Sequence, residues 1–410
     1  MRSDGSSRFS PTNKWSLFPS AAFAWKINEE EFMKNSNTFA SLKLRVGYGT
    51  TGQQDIGSDY PYQARYTLSD VTSQYQFGNV FTNTLRAEGY DENIKWEQTG
   101  TANIGLDFGL KKGRISGSID YYQKKTRDLL SEIPVPAGAN LTNRILTNVG
   151  NIENQGVEFT LNTTPIISKD FSWDLGFNVT YNKNVITNLT KVLSPNFAGV
   201  EAGGITGGVG NNIQIHTVGF PTFSYFVYKQ VYNEQGTPLE GVYADLNGDG
   251  KVTPEDRYRY QAPQAKVFLG FNSRFNYKNL NLGFVMRANI GNYMYNNVSS
   301  NNGAYRNAFN PNNYLSNVSS SVLQTQFNNN QYFSDFYIEN ASFLRMDNLS
   351  LGYNFKNAFR TKMNIGLSAI VQNVFVVTKY KGLDPEVQSG IDDKIYPRPR
   401  TITFGVNVGF

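Results

Sequence analysis

Twelve residues, DLNGDGKVTPED from Asp245 to Asp256, place oxygen donors at the spacing of a calcium-binding loop. Asp245, Asn247 and Asp249 would supply side-chain oxygens, and Gly250 would permit the sharp turn. Lys251 would give its carbonyl, Thr253 would ligate directly or through water, and Asp256 would close the site. Hard oxygen donors in this order suit Ca²⁺. Position twelve, however, is Asp256 rather than the longer Glu, and the flanks read as strand and loop rather than paired helices. The same residues also spell an Asx-rich turn closed by its own side-chain to backbone hydrogen bonds. Under either description the segment stiffens a loop and performs no catalysis.

Other chemistry is excluded by residue type. The 410 residues contain no Cys and one His, His216. That removes disulfides and thiolate metal sites, and the single His argues against a histidine-based metal site or a Ser-His-Asp triad. His216 lies in a Gly-rich stretch and is expected to be a solvated loop residue. Gly203, Gly204, Gly207, Gly208 and Gly210 have no strand-to-helix context and are flexible spacing, not a phosphate cradle. Glu29 and Glu31 read as one solvated helical turn. No G-x-S-x-G, H-E-x-x-H or Walker loop is present, so the chain is not expected to be an enzyme. A further group, Tyr60, Tyr62, Tyr66, Tyr75, Phe77 and Tyr90, falls within one long loop. These rings could stack on sugars, pack against a partner, or pack on one another, the last being favoured. Tyr380, Asp384, Pro385, Glu386 and the YPRPR segment before the last strand read as a structural constraint on an outer loop.

The elements that carry these residues are strands. In RTITFGVNVGF, Arg400 to Phe410, the side chains of Ile402, Phe404, Val406, Val408 and Phe410 share one parity, and small or polar ones share the other. Phe171 to Tyr181 alternates unbroken over eleven residues, beyond the usual five or six of a globular strand and enough to cross a bilayer at a tilt. Ile104–Phe108 and Ile115–Tyr121 form a hairpin around Lys111 to Gly113, and a second hairpin joins Val267–Phe271 to Leu280–Ala288. Further strands are expected at Lys14–Ile27 (broken at Pro19), Leu42–Tyr48, Val157–Leu161, Tyr225–Tyr232, Phe343–Tyr353 and Met363–Thr378. The total is about twelve. Tight turns near Lys111, Lys169 and Lys278 alternate with long loops after Gly52, Asn188 and Asn292. Short turns on one side and long loops on the other are the pattern of an outer-membrane barrel. The stretch Asn188–Gly219 is expected to be mobile.

Composition agrees. Hydrophobic residues make 39% and no run of about 18 apolar residues occurs, so no transmembrane helix is expected. Mean hydropathy is −0.44, which a barrel tolerates because only alternate strand residues face lipid. Aromatics make 14%, with 25 Tyr and 29 Phe, enough for interfacial girdles. The net charge of +5 is spread along the chain, and no Lys/Arg run suggests nucleic acid. The fold class is therefore all-β, a transmembrane antiparallel barrel. Two alternatives stay open: a secreted, soluble carbohydrate-binding β protein with a calcium loop, and a closed passive pore of about twelve strands.

Motifs along the whole chain resemble the C-terminal half of the SusC/RagA family of TonB-linked outer-membrane proteins. They include LKLRVGYGTTGQQDIG (Leu42–Gly57), IKWEQTGTANIGLDFG (Ile94–Gly109), NVGNIENQGVEF (Asn148–Phe159), YADLNGDGKVTPEDR (Tyr243–Arg257), SFLRMDNLSLGY (Ser342–Tyr353) and YPRPRTITFGVNVGF (Tyr396–Phe410). The resemblance implies that residues 1–410 are part of a larger plugged barrel of about 22 strands. The signal peptide, plug and N-terminal domains would lie upstream, with Met1 internal to a longer protein. It implies import of an oligosaccharide or peptide across the outer membrane, with a SusD-like surface lipoprotein as lid. The TonB complex would be engaged through the upstream part. It also implies that Phe410, closing the last strand, is the signal shown to the barrel assembly machinery. Tyr60, Tyr62, Tyr66, Tyr75 and Phe77 would be substrate or lid contacts.

Overall fold

The computed structural model describes residues 1–34, 37–110, 113–190, 197–208, 210–309, 316–356, 362–394 and 396–409. Lys111 and Lys112 of the first predicted turn, and Phe410, lie outside the described residues. Eleven strands form one sheet in which chain order and spatial order coincide. They are β1 (Ser20–Lys26), β2 (Phe39–Gln53), β3 (Glu97–Leu110), β4 (Ile115–Pro134), β5 (Arg144–Ile167) and β6 (Phe171–Asn188). After a long excursion follow β7 (Val267–Tyr277), β8 (Leu280–Ile290), β9 (Phe343–Phe355), β10 (Asn364–Thr378) and β11 (Thr401–Gly409). Every neighbouring pair is antiparallel. The sheet is open: β1 and β11 are its edges and do not pair with each other. Backbone groups at such edges must find further strands to span a bilayer.

The register carries one apolar face across the sheet. Trp25 lies opposite Leu44, Leu44 opposite Leu106, Leu106 opposite Ile119, and Ile119 opposite Phe159; Phe159 then faces Val179, and Val179 faces Leu269. At the other edge Val406 pairs with Leu367, which pairs with Tyr353. Trp25, Ile119, Leu367, Tyr353 and Val406 of this face are exposed and the others half-buried; Phe404, of the same parity as Val406, is 80% exposed. Tyr277, Tyr353, Phe355 and Phe171 gather near the short turns, as an interfacial girdle would. The opposite face is polar. There Arg45 reaches Asp107 at 2.8 Å and Asp120 at 2.7 Å, and Lys43 adds a contact to Asp107 at 3.1 Å. Gly105 leaves room for this bridge, since a Cβ would fall 2.1 Å from Asp120 Oδ1. An outward apolar face with a salt-bridged inner face is the construction of a membrane barrel wall. A soluble sheet would have covered its apolar face, and a closed twelve-stranded pore would have no edges. Neither alternative is what forms.

Two expectations are revised. Tyr225–Tyr232 is not a wall strand: it splits into Ser224–Val227 and Gln230–Tyr232, which join small sheets at the loop end. That leaves eleven wall strands rather than about twelve. The helical turn expected at Glu29–Lys34 begins earlier, as a 3₁₀ turn over Ile27–Glu29.

The buried core sits at the loop end. Ile213, Tyr225, Val227, Tyr295, Tyr337, Ile338 and Ile391 form its largest cluster. A second cluster joins Phe9 and Phe18 to Ile94 and Trp96, with Phe9 and Trp96 rings 4.8 Å apart. Within the stretch expected to be mobile, Val200–Gly204 and Asn212–His216 form an antiparallel pair, and Ile213, Gln214 and Ile215 are buried. Residues 191–196 and 209 of that stretch lie outside the described residues.

Candidate functional site

The loop Asp245–Asp256 folds as interlocking Asx turns. Asp245 accepts from the backbone N–H of Gly248 (2.6 Å) and Gly250 (2.8 Å). Asn247 Oδ1 accepts from Asp249 N, and Asp249 Oδ1 from Lys251 N. Thr253 caps the 3₁₀ turn Pro254–Asp256, accepting from Glu255 N. Asp256 is fully buried and accepts from three backbone N–H groups: Thr253 (2.8 Å), Leu246 (2.8 Å) and Asn247 (3.2 Å). Those bonds, that of Thr253 foremost, hold its carboxyl below the usual range. Gly248 and Gly250 take left-handed φ of +75° and +83°, which a side chain would strain. The donor set has the chemistry for a hard cation. Among the described residues, however, no three His, Cys, Asp or Glu side chains converge as metal ligands. In this structure the oxygens of the loop satisfy its own backbone.

Within the first long loop two ring pairs, Tyr60–Tyr62 and Tyr75–Phe77, pack on one another, and short strands of the loop pair with each other. Tyr62 alone of its predicted contacts packs against the Phe9–Trp96 cluster, and Tyr60 meets it edge-on at 6.3 Å. Tyr66 stands on the pair Tyr66–Leu68/Leu85–Ala87, and Tyr75 and Phe77 on the hairpin Gln74–Phe77/Val80–Asn83; all three are exposed. Tyr75 and Phe77 touch each other at 4.6 Å. Tyr90 is half-buried, with its backbone bonded to Asn140.

The last long loop, expected to act as a structural constraint, is tied down by charge. Arg345 on β9, 2% exposed, donates to Asp384 Oδ1 at 2.6 Å and to Asn373 Oδ1 at 2.8 Å, and its Nε lies 3.1 Å from Glu386. Arg287 on β8 grips Glu386 and also donates to Asp347 at 2.6 Å. Arg398 of the YPRPR segment closes the cluster against Asp384 (3.4 Å) and Glu386 (3.1 Å). Tyr380 donates to buried Asp392 at 2.6 Å, and burial pushes both groups up. Beyond them, Ile391–Asp392 runs parallel to Tyr295–Asn296, and Tyr225 OH donates to Gly390 O at 2.7 Å.

His216 departs from expectation. It is half-buried; its Nδ1 accepts from Phe223 N at 3.3 Å and its ring meets the Phe223 ring edge-on at 4.5 Å. Burial lowers its pKa, which keeps the imidazole neutral and able to accept. Phe223 itself holds a left-handed φ of +58°, uncommon for a bulky residue. No local sequence signal marks this pair beyond the Gly–Phe–Pro turn that separates them.

Comparison with known proteins agrees with this architecture. Residues 1–374 match the family described as TonB dependent receptor-like, beta-barrel. The chain is 45% identical over 417 residues to the TonB-dependent receptor SusC of Bacteroides thetaiotaomicron, covering 100% of this chain and 42% of that protein. It is 31% identical over 452 residues to the TonB-dependent receptor P3 of Formosa agariphila, covering 43% of it. The RagAB peptide transporter superposes over 98% of this chain and 44% of that one, with a TM-score of 0.79 and 25% identity. The chain thus spans less than half the length of these relatives. With its lipid-facing wall and one-sided loops, it belongs to the TonB-dependent receptor β-barrel family of the outer membrane, in its SusC/RagA branch.

Proposed function

We propose that this chain is the wall and outer vestibule of an energised importer. The observation that carries the proposal is the pairing of a lipid-facing sheet with outer loops that fold into their own buried core. A passive wall would not need such a cap; a receptor must hold a shaped surface above its lumen. The polar inner face, braced by Arg45 with Asp107 and Asp120, would line the passage. The Arg345 cluster would keep the last loop folded against the wall while cargo passes.

The remaining parts come from the relatives. A plug joined to TonB would occupy the lumen, and a SusD-like lipoprotein would close over the loops, with the exposed Tyr66, Tyr75 and Phe77 hairpins among its contacts. Likeness to the RagAB peptide transporter supports peptide cargo, and the family resemblance adds oligosaccharide. Phe410 would be read by the assembly machinery. The test is uptake of labelled oligosaccharides and oligopeptides by cells carrying the full-length receptor. Uptake that stops on dissipating the proton-motive force, or on deleting TonB, is expected. Uptake indifferent to both would refute energised import.

A further inference from the structure

The wall parts at its loop end, between β6 and β7. Their register ends with Tyr181 opposite Val267, and one further bond joins Asn182 N to Lys266 O at 3.0 Å. Farther along β6 the chain at Gly219 and Phe220 takes the place of β7. There Ile186 N donates to Phe220 O at 3.0 Å, and Gly219 N to Ile186 O at 2.8 Å. Between these two attachments lies a cavity of about 360 Å³. Lys183 and Lys266 both line it, and no described Asp or Glu does. Among the described residues neither ammonium has an ion-pair or hydrogen-bond partner. Lys125, elsewhere on the rim, is by contrast 3.9 Å from Glu153. The stem of Lys266 passes over Gly291, where a Cβ would fall 3.4 Å from Lys266 Cγ.

The cavity stands where the lipid-facing band ends. Tyr121, Val157, Tyr181, Val267 and Ile290 form one row across β4 to β8. Tyr181 is 48% exposed and Ile290 46%, as side chains against lipid would be. Lys183 shares the parity of Tyr181, is exposed, and lies one row nearer the loops. At that depth hydrocarbon gives way to headgroups. Two cations with no carboxylate beside them favour an anion, and the anions fixed at that depth are those of lipids. Lysine meets a phosphate as a point charge with three donors. Val185, Pro221 and Ala265 give the rest of the cavity an apolar lining, which a hydrated ion would not use. We propose that the notch holds the phosphate of an outer-leaflet lipid between Lys183 and Lys266. The acyl chains would run down over Tyr181, Val267 and Ile290, and the lipid would close the gap between β6 and β7. The proposal concerns the membrane around the wall and stands apart from the import reading.

The test uses the full-length receptor in detergent, stripped of lipid. It is titrated with bisphosphorylated lipid A, with the same lipid after phosphatase treatment, and with inorganic phosphate. Native mass spectrometry counts the lipid retained. The wild type should hold the phosphorylated lipid in preference to the dephosphorylated one. Lys183→Gln and Lys266→Gln should each weaken it about fivefold, and the double variant about 30-fold. Both side chains are exposed, so neither change should lower the melting temperature of the lipid-free receptor. Lys183→Arg with Lys266→Arg should retain binding, and Lys125→Gln should leave it unchanged. No retention by the wild type, equal retention of both lipid forms, or a double variant that binds like the wild type would overturn the proposal. An equal loss in Lys125→Gln would overturn it as well, by making the attraction a diffuse one. Inorganic phosphate bound as tightly as the lipid would make the notch a site for a soluble anion and would also overturn it.

Discussion

Replacing Arg345 with Met should free the last outer loop while leaving the wall intact. Arg345 is 2% exposed and faces Asp384, whose side chain is 4% exposed. Methionine keeps much of the volume and removes the charge. Breaking a buried ion pair costs about 3–5 kcal/mol, because the remaining partner is stranded. Here Arg398 still stands 3.4 Å from Asp384, and Arg287 still holds Glu386, so the low end applies. About 3 kcal/mol corresponds to roughly a 150-fold change in an opening equilibrium. The readout is native-state hydrogen exchange in the full-length receptor. The Glu386 amide, which donates to Asp384 Oδ1 at 2.9 Å, and the Gly390 amide, which donates to Val387 O, should exchange roughly 100-fold faster. Strand amides of β5 and β6 should not change. Replacing Arg345 and Asp384 together by apolar residues should recover much of the loss at the Gly390 amide, while the Glu386 amide, deprived of its acceptor, should stay fast. Exchange at Glu386 altered less than threefold, or acceleration spread through the whole wall, would refute the idea that this cluster is a local latch.

Other perturbations follow from the same structure. Ile119→Arg places a cation on the lipid face and should cost about 2–4 kcal/mol in bilayer unfolding, whereas Thr160→Arg, of the opposite parity, should cost under about 1 kcal/mol. Gly105→Val should break the Arg45–Asp120 contact and lower the yield of assembled barrel, since its Cβ would collide with Asp120. The lowered pKa of His216 means the unfolded chain binds more protons than the folded one, so its contact with Phe223 is complete above about pH 6.5 and is lost as pH falls through the lowered value. Exchange of the Phe223 amide, corrected for intrinsic rate, should therefore accelerate below pH 6, and His216→Asn should abolish that pH dependence. Because the Asp245–Asp256 loop satisfies its own backbone, chelation by EDTA should leave its protease resistance unchanged, while Asp256→Ala should expose it to cleavage. Loss of resistance on chelation alone would assign the loop a structural calcium.

The wall was legible because lipid imposes a strict rule on it. Ile402, Phe404, Val406 and Val408 share a face in the sequence and in the sheet, and the tight turns near Lys169 and Lys278 fall where expected. Strand lengths were less so. The first hairpin was predicted to end at Tyr121, yet β4 continues to Pro134 through Lys124, Lys125 and Arg127. Charged residues broke the alternation there although the strand pairing went on. The loop-end core was not legible. Its Ile, Val and Tyr side chains come from short segments joined by contacts distant in sequence, such as Tyr225 to Gly390, 165 residues apart. Such burial leaves no period in the sequence, and the Gly- and Asn-rich stretch around Ile213 looked mobile for that reason. The acidic loop was legible as a turn, since both descriptions required the same Asx and Gly positions. The charge cluster could be suspected from Asp384, Glu386 and Arg398, but its partner Arg345 sits on a strand with nothing local to mark it.

The most direct test of the central claim uses the absence of cysteine from these 410 residues, any cysteine upstream being replaced by serine. Single cysteines introduced from Ile402 to Asn407 in the full-length receptor, in native outer membranes, would be labelled with a fluorophore and quenched from lipid and from water. Positions 402, 404 and 406 should be quenched from lipid, and 403, 405 and 407 from water, in strict alternation. Aqueous quenching at every position would contradict a lipid-facing wall and the import reading that depends on it.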